Sequence, residues 1–332
     1  MTQCSNVAVG GGKRYFYFIT LLRAFAAIII TNAHYTGIYP SDIIANGGLL
    51  GDVIFFSVSG FCLANPRIPF KHWYFKRLWR IYAVVWIATL FYVIVGAWTV
   101  NNWVDLVKWF IHPTKYHFIA SISLLYIPLY YVAKHVKLDK KMWALLSAGL
   151  LAVQSVLYFG VYDISYYHID NVRQPMIEFL FFQSMLMGLF FREELSRGTL
   201  AVKKSRWLWI VLGALLIIYF GSKMLFVKQA CLSEFQLLNQ VILLFLLFVL
   251  FICANTLEDK LHNIENTKFW KGVVFLSDRT LEIYCVQYVI IDAVRGWGLA
   301  FPLNWALLTS LILIAATALH WMSQKIISFV KI

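Results

Sequence analysis

The sequence predicts an all-α protein, a polytopic membrane bundle of about ten transmembrane helices with both termini cytoplasmic. Three observations lead there. The chain of 332 residues is 61% hydrophobic and only 14% charged, against about 45–50% apolar and about 25% charged in a soluble domain. Its apolar residues gather in runs near the roughly 20 residues that cross a bilayer as helix. Its basic residues are distributed unevenly between the loops that join those runs.

The runs are 15–38, 48–64, 81–100, 118–133, 142–160, 175–191, 207–220, 236–254, 273–294 and 299–320. Pro66, Pro69, Pro113, Pro175 and Pro302 fall in loops or at run ends, where a missing N–H costs little. Lys and Arg number 21 in the two tails and loops 65–80, 134–141, 192–206 and 255–272, but six in the alternate loops. That asymmetry places both termini in the cytoplasm. The expected organisation is a cytoplasmic tail over 1–14, one membrane domain over 15–320 and a second cytoplasmic tail over 321–332.

The formal net charge of +13 does not point to nucleic acid, because the basic residues follow the positive-inside pattern rather than a patch. The five cysteines, Cys4, Cys62, Cys231, Cys253 and Cys285, lack metal-ligand spacing, and four lie in or beside apolar runs. Neither a zinc site nor a disulfide framework is expected. The first run is too long for a signal-peptide core and contains Arg23, so a cleaved leader is not expected.

The polar residues inside the runs are the candidates for chemistry. RAFAAIIITNAH carries Arg23 and His34 eleven positions apart, about 16 Å along a helix and within about 20° of three whole turns. A cation at mid-membrane costs roughly 2.5–3.5 kcal/mol on insertion scales, so the pair either lines a polar path or is satisfied locally by headgroups and a carbonyl. Asp52, near the outer end of the second run, would lie at the depth of His34 in an antiparallel pair. It either orients the imidazole or complements a helix N-terminus. Ser59 and Gly60 suit close helix packing. In NPRIPFKHWYFKRLWR, Arg77 and Arg80 are one turn apart. They offer two guanidinium forks to a phosphorylated ligand, or the stretch lies in the interface against lipid phosphates. Asp278 and Glu282 share a face and are expected to neutralise Arg279 or Arg23. Phosphate-loop, GxSxG and HExxH motifs are lacking in any credible context.

Five segments resemble, in order, those of the acyltransferase 3 family of integral membrane acyltransferases. LLRAFAAIIITNAH is similar to its first helix, with a basic residue, ten positions and a histidine. LLGDVIFFSVSGFCL is similar to its second, with the FF-x-x-SGF core, and FKRLWRIYAVVW to its R-x-x-R entry to the third. FFQSMLMGLFFREEL and SDRTLEIYCVQYVI resemble its FFxxGxxxxR and SLxxYxxH segments. The chain departs from the family at three places. The family's acidic residue commonly sits one place later, where Val53 stands. Proline after R-I-Y is Ala83 here. The late histidine is Gln287.

The resemblance implies an enzyme that takes an acyl group, usually acetyl from acetyl-coenzyme A, on the cytoplasmic side. The acyl group passes to a sugar hydroxyl of a glycan or lipid-linked glycan of the bacterial surface. Carried over to this chain, His34 is the catalytic histidine, Arg23 its basic partner, and Arg77 and Arg80 bind the donor. Asp52 is the candidate orienting acid, turned by about 100° from the family's position. Expected partners are acyl-CoA, the glycan acceptor and membrane lipids. No resident cofactor, metal or nucleic acid is expected, nor a fused esterase-like domain. The competing reading is a transporter or flippase for a glycan intermediate, with Arg23, Asp52 and His34 lining its path.

Overall fold

Each apolar run condenses into helix, since a backbone in hydrocarbon must satisfy its own N–H and C=O groups. In the computed structural model, residues 6–9, 12–113, 115–200 and 205–329 are described. The expected tails fall partly outside them, at residues 1–5, 10–11 and 330–332. The helices are α1 (Tyr17–Ala33), α2 (Gly48–Cys62), α3 (Phe70–Ile94), α4 (Trp103–Leu106), α5 (His117–His135), α6 (Lys140–Val161) and α7 (Met176–Arg197). They continue as α8 (Arg206–Lys228), α9 (Gln236–Thr256), α10 (Glu258–Asn263), α11 (Lys268–Asp278), α12 (Thr280–Arg295) and α13 (Leu303–Phe329). A short antiparallel hairpin precedes them, β1 (Asn6–Val9) and β2 (Gly12–Tyr15), with Asn6 opposite Tyr15 and Val9 opposite Gly12.

Five of the described helical segments are both long and apolar enough to cross a membrane: Phe70–Ile94, Lys140–Val161, Arg206–Lys228, Ala230–Thr256 and Leu303–Phe329. Tyr17–Ala33 and Gly48–Cys62 are apolar but shorter. Three boundaries differ from the sequence expectation. α3 begins at Phe70, so Arg77 and Arg80 lie within a helix rather than in a loop. The ninth run is two helices, α11 and α12, broken at Arg279 with φ −108° and ψ 12°. α13 continues to Phe329, through most of the expected tail.

Helix ends follow their local chemistry. Asp139 accepts from Met142 N at 2.9 Å to start α6, an ordinary side-chain cap. Gly198, at φ +69°, closes α7 in the left-handed conformation that glycine adopts without a Cβ penalty. α1 is capped from afar. Its first N–H groups, of Tyr17 and Phe18, donate to the two carboxylate oxygens of Glu258 at 3.1 and 2.9 Å. These groups have no partner within their own helix.

The chain divides into two compact units, each assembled from three segments. The first comprises Met1–Leu22, Val53–Asn65 and Pro128–Lys271. Within it α2 and α7 touch backbone to backbone. A Cβ on Gly60 would meet Met185 O at 2.0 Å, and one on Gly188 would meet Ser57 O at 1.8 Å. Ser57 Oγ donates to Ser184 O at 2.9 Å beside the stacked rings of Phe56 and Phe181. A buried amide network ties α6, α7 and α9: Gln183 Nε2 donates to Gln154 Oε1, and Gln154 Nε2 to Gln240 Oε1.

The second unit comprises Arg23–Asp52, Pro66–Ile127 and Gly272–Ile332. Here α12 packs on α13, and both pack on α3. Tyr92 of α3 donates its hydroxyl to Cys285 O in α12 at 2.7 Å. The start of α2 presses on α1, where a Cβ on Gly51 would stand 3.1 Å from Ala26 O and 2.5 Å from Ile30. All five sequence-nominated site residues belong to this second unit.

Candidate active site

α1 delivers His34 at its end rather than within it. Regular helix stops at Ala33, and His34 N bonds Thr31 O at 3.1 Å. The whole-turn argument therefore carries only to Ala33, since the tightened last turn resets the direction of the next side chain. The segment after it is pinned by the far end of the chain. Arg295, at the end of α12, donates to Thr36 O at 3.0 Å and to His34 O at 3.3 Å. Asn304 of α13 donates to Ile38 O at 2.8 Å. Gly37 turns between them at φ +78°.

The imidazole of His34 is half-buried. Its Nε2 is hydrogen-bonded to the hydroxyl of Tyr288 on α12, 3.1 Å away, with ring centroids 4.6 Å apart. Asp52 is half-buried as well, and no hydrogen bond or ion pair joins it to His34 among the described residues. Its carboxylate lies within electrostatic reach of Tyr288 and Tyr284 instead. The hydrogen-bond partner of the imidazole is a tyrosine 254 positions away in sequence. Tyr288 went unremarked in the sequence, although it adjoins the Gln287 that stands for the family's late histidine. Gln287 itself is fully buried, and neither of its amide atoms has a hydrogen-bond partner among the described residues.

The basic residues lie on α1 itself and on α3 of the same unit. Arg23 is buried, with 5% of its surface exposed. Arg77 and Arg80 are half-buried in the first turns of α3. The Nε of Arg77 is buried without a hydrogen-bond partner among the described residues. A buried guanidinium donor left unpaired is expensive, and an anionic ligand would satisfy it.

Glu282 takes a partner the sequence did not suggest. Its Oε1 is 2.8 Å from Nδ1 of His320 on α13, and Glu282 is 1% exposed. Among the described residues Glu282 forms no ion pair with Arg279, the neutralisation expected from the sequence. Arg279 lies over the ring of Phe275, 3.9 Å from its centroid, and donates to Phe275 O at 3.2 Å. Nothing near His320 in sequence marks it, since it sits at the end of a long apolar run. Among the described residues, no group of three His, Cys, Asp or Glu side chains could hold a metal ion.

A family model described as an acyltransferase domain matches residues 16–322, nearly the whole chain. The chain belongs to the acyltransferase 3 family. With its five long apolar helices, this acyltransferase is an integral membrane protein. No curated protein and no solved structure matches it.

Proposed function

We propose that this acyltransferase moves an acyl group, acetyl in the first instance, from cytoplasmic acyl-coenzyme A to a sugar hydroxyl of a bacterial surface polysaccharide. The acceptor is an O-antigen, capsule or exopolysaccharide, free or lipid-linked. In this reading the protein resides in the cytoplasmic membrane, crosses it ten times and keeps both termini in the cytoplasm. The observation that carries the proposal is the hydrogen-bonded His34–Tyr288 pair in a unit that also holds the buried Arg23 and the unpaired donor of Arg77.

The chemistry runs as follows. Arg77 and Arg80 grip the phosphates of the donor, since guanidinium groups stay charged and bind phosphate through paired donors. Arg23 supplies a further cation for the donor. At His34, the tautomer that donates Nε2–H to the Tyr288 oxygen leaves the Nδ1 lone pair free as base. Nδ1 takes the proton of the acceptor hydroxyl as its oxygen attacks the thioester carbonyl. The tetrahedral intermediate collapses, the C–S bond breaks, and the departing thiolate recovers the proton from the imidazolium. Asp52 lies in electrostatic reach of Tyr288, the hydrogen-bond partner of the imidazole.

The test uses purified protein, acetyl-coenzyme A labelled in the acetyl group, and a panel of bacterial glycans. Label is expected on a glycan with the native protein. His34→Ala should fall by roughly 10²–10⁴-fold, the range of a positioned general base, while the protein stays folded in the membrane. Full activity of His34→Ala refutes the assignment of the base. Absence of label from every glycan refutes the acceptor class and favours transport of a glycan intermediate.

A further inference from the structure

Outside the polar interior around the candidate site, the surface carries a groove with a definite chemical character. It lies between α11 and α13, measures about 620 Å³, and is lined by Phe275, Leu313, Ile314, Thr317, Ala318 and Trp321. Five of the six lining residues come from one face of α13, a helix long and apolar enough to cross the membrane. Ile314 and Trp321 are 66% and 61% exposed, so the lining faces outward. Such a surface, on a helix set in a bilayer, meets lipid chains rather than water.

Two cations are fastened to the groove's own aromatic walls. The guanidinium of Arg279 lies 3.9 Å from the centroid of Phe275. The ammonium of Lys325 lies 3.5 Å from the centroid of Trp321. Both distances are within the range of cation–π attraction. Neither cation has a carboxylate partner among the described residues, and the Nε of Arg279 is buried without any hydrogen-bond partner. Lys325 is one turn beyond Trp321 on the same helix face. Arg279 is one turn beyond Phe275. Two positive charges thus border an apolar groove, and neither is paired with a carboxylate among the described residues.

We infer that this groove is a binding site for an anionic phospholipid. One acyl chain lies along Leu313, Ile314, Thr317 and Ala318, and the phosphate sits against Arg279 and Lys325. The charge complementarity selects an anionic headgroup over a zwitterionic one. A basic residue at the surface of an anionic membrane favours an anionic lipid by roughly 5-fold. Two of them amount to a preference of about 10-fold or more.

Native mass spectrometry of the full-length protein in detergent tests this, with dioleoyl phosphatidylglycerol and dioleoyl phosphatidylcholine at equal concentration. The native protein should retain the anionic lipid about 10-fold more strongly. Arg279→Gln combined with Lys325→Gln should bring the ratio within about twofold. Ala318→Trp, an exposed position that leaves both cations in place, fills the groove and should remove the tightly held lipid. Equal retention of the two lipids by the native protein overturns the inference. So does an unchanged preference in the double variant, or in Ala318→Trp should the double variant fail to fold. Stronger retention of a polyprenyl phosphate than of phosphatidylglycerol reassigns the groove to a lipid carrier and overturns the phospholipid assignment.

Discussion

Tyr288→Phe isolates the contribution of one hydroxyl to the proposed base. The substitution removes the group 3.1 Å from His34 Nε2 and keeps the ring that lies 4.6 Å from the imidazole. A hydrogen bond between neutral groups contributes about 0.5–1.5 kcal/mol net. If that bond holds the imidazole in its reactive tautomer, its loss lowers kcat by roughly 2- to 13-fold. The KM for acetyl-coenzyme A should not move, because the tyrosine acts on the base and not on the donor. The decisive comparison is the double variant. Tyr288 works through His34, so Tyr288→Phe in a His34→Ala background should cost nothing further, a full departure from additivity. Transfer of labelled acetyl by the four purified proteins in detergent or nanodiscs supplies all the numbers. A wild-type rate for Tyr288→Phe would remove the positioning role. An equal fold-loss in both backgrounds would show that Tyr288 acts independently of His34.

Arg77→Ala should raise the KM for acyl-coenzyme A more than it lowers kcat, and dephospho-donors should lose the difference between variant and native protein in the same kinetic assay. Gly60→Ala and Gly188→Ala drive a methyl into the facing backbone of the first unit. Each should destabilise by about 1–3 kcal/mol or more, read as a lower unfolding temperature in detergent, and unaltered melting would contradict the close α2–α7 approach. His320→Ala strips the partner from a carboxylate that is 1% exposed. Breaking such a pair costs about 3–5 kcal/mol, whereas replacing both members by apolar residues is often neutral. Thermal unfolding of His320→Ala should therefore be worse than that of His320→Leu with Glu282→Leu, and the reverse order would refute the pairing.

Much of the architecture is legible in hydropathy, because burial in lipid imposes long apolar runs and a helix must follow. The start of α3 was not. Residues 70–80 mix Lys and Arg with Trp, Tyr and Phe, so their mean hydropathy reads as a loop, yet Pro69 opens a helix there in which Lys76, Arg77 and Arg80 are half-buried. The break at Arg279 was equally hidden, since nothing in SDRTLEIY interrupts helical periodicity. Gly60 suits close helix packing by its size alone, but its contact, the Met185 backbone, lies 125 positions away.

The composition indicates a membrane protein, and the five ordered segments carry the resemblance to an acyltransferase family from which a candidate base and candidate donor cations follow. These properties are local, written in consecutive residues and in period. The partners of those residues are not local. His34 bonds Tyr288, and Glu282 finds His320 rather than the nearby Arg279. Each pairing depends on how α12 and α13 are rotated about their axes when they pack, and rotating a helix by one residue turns every side chain by about 100°. An apolar sequence leaves that rotation nearly degenerate, because Leu, Ile, Val and Phe occupy almost every face. Only the packed unit selects one rotation, and with it the tyrosine that holds the histidine.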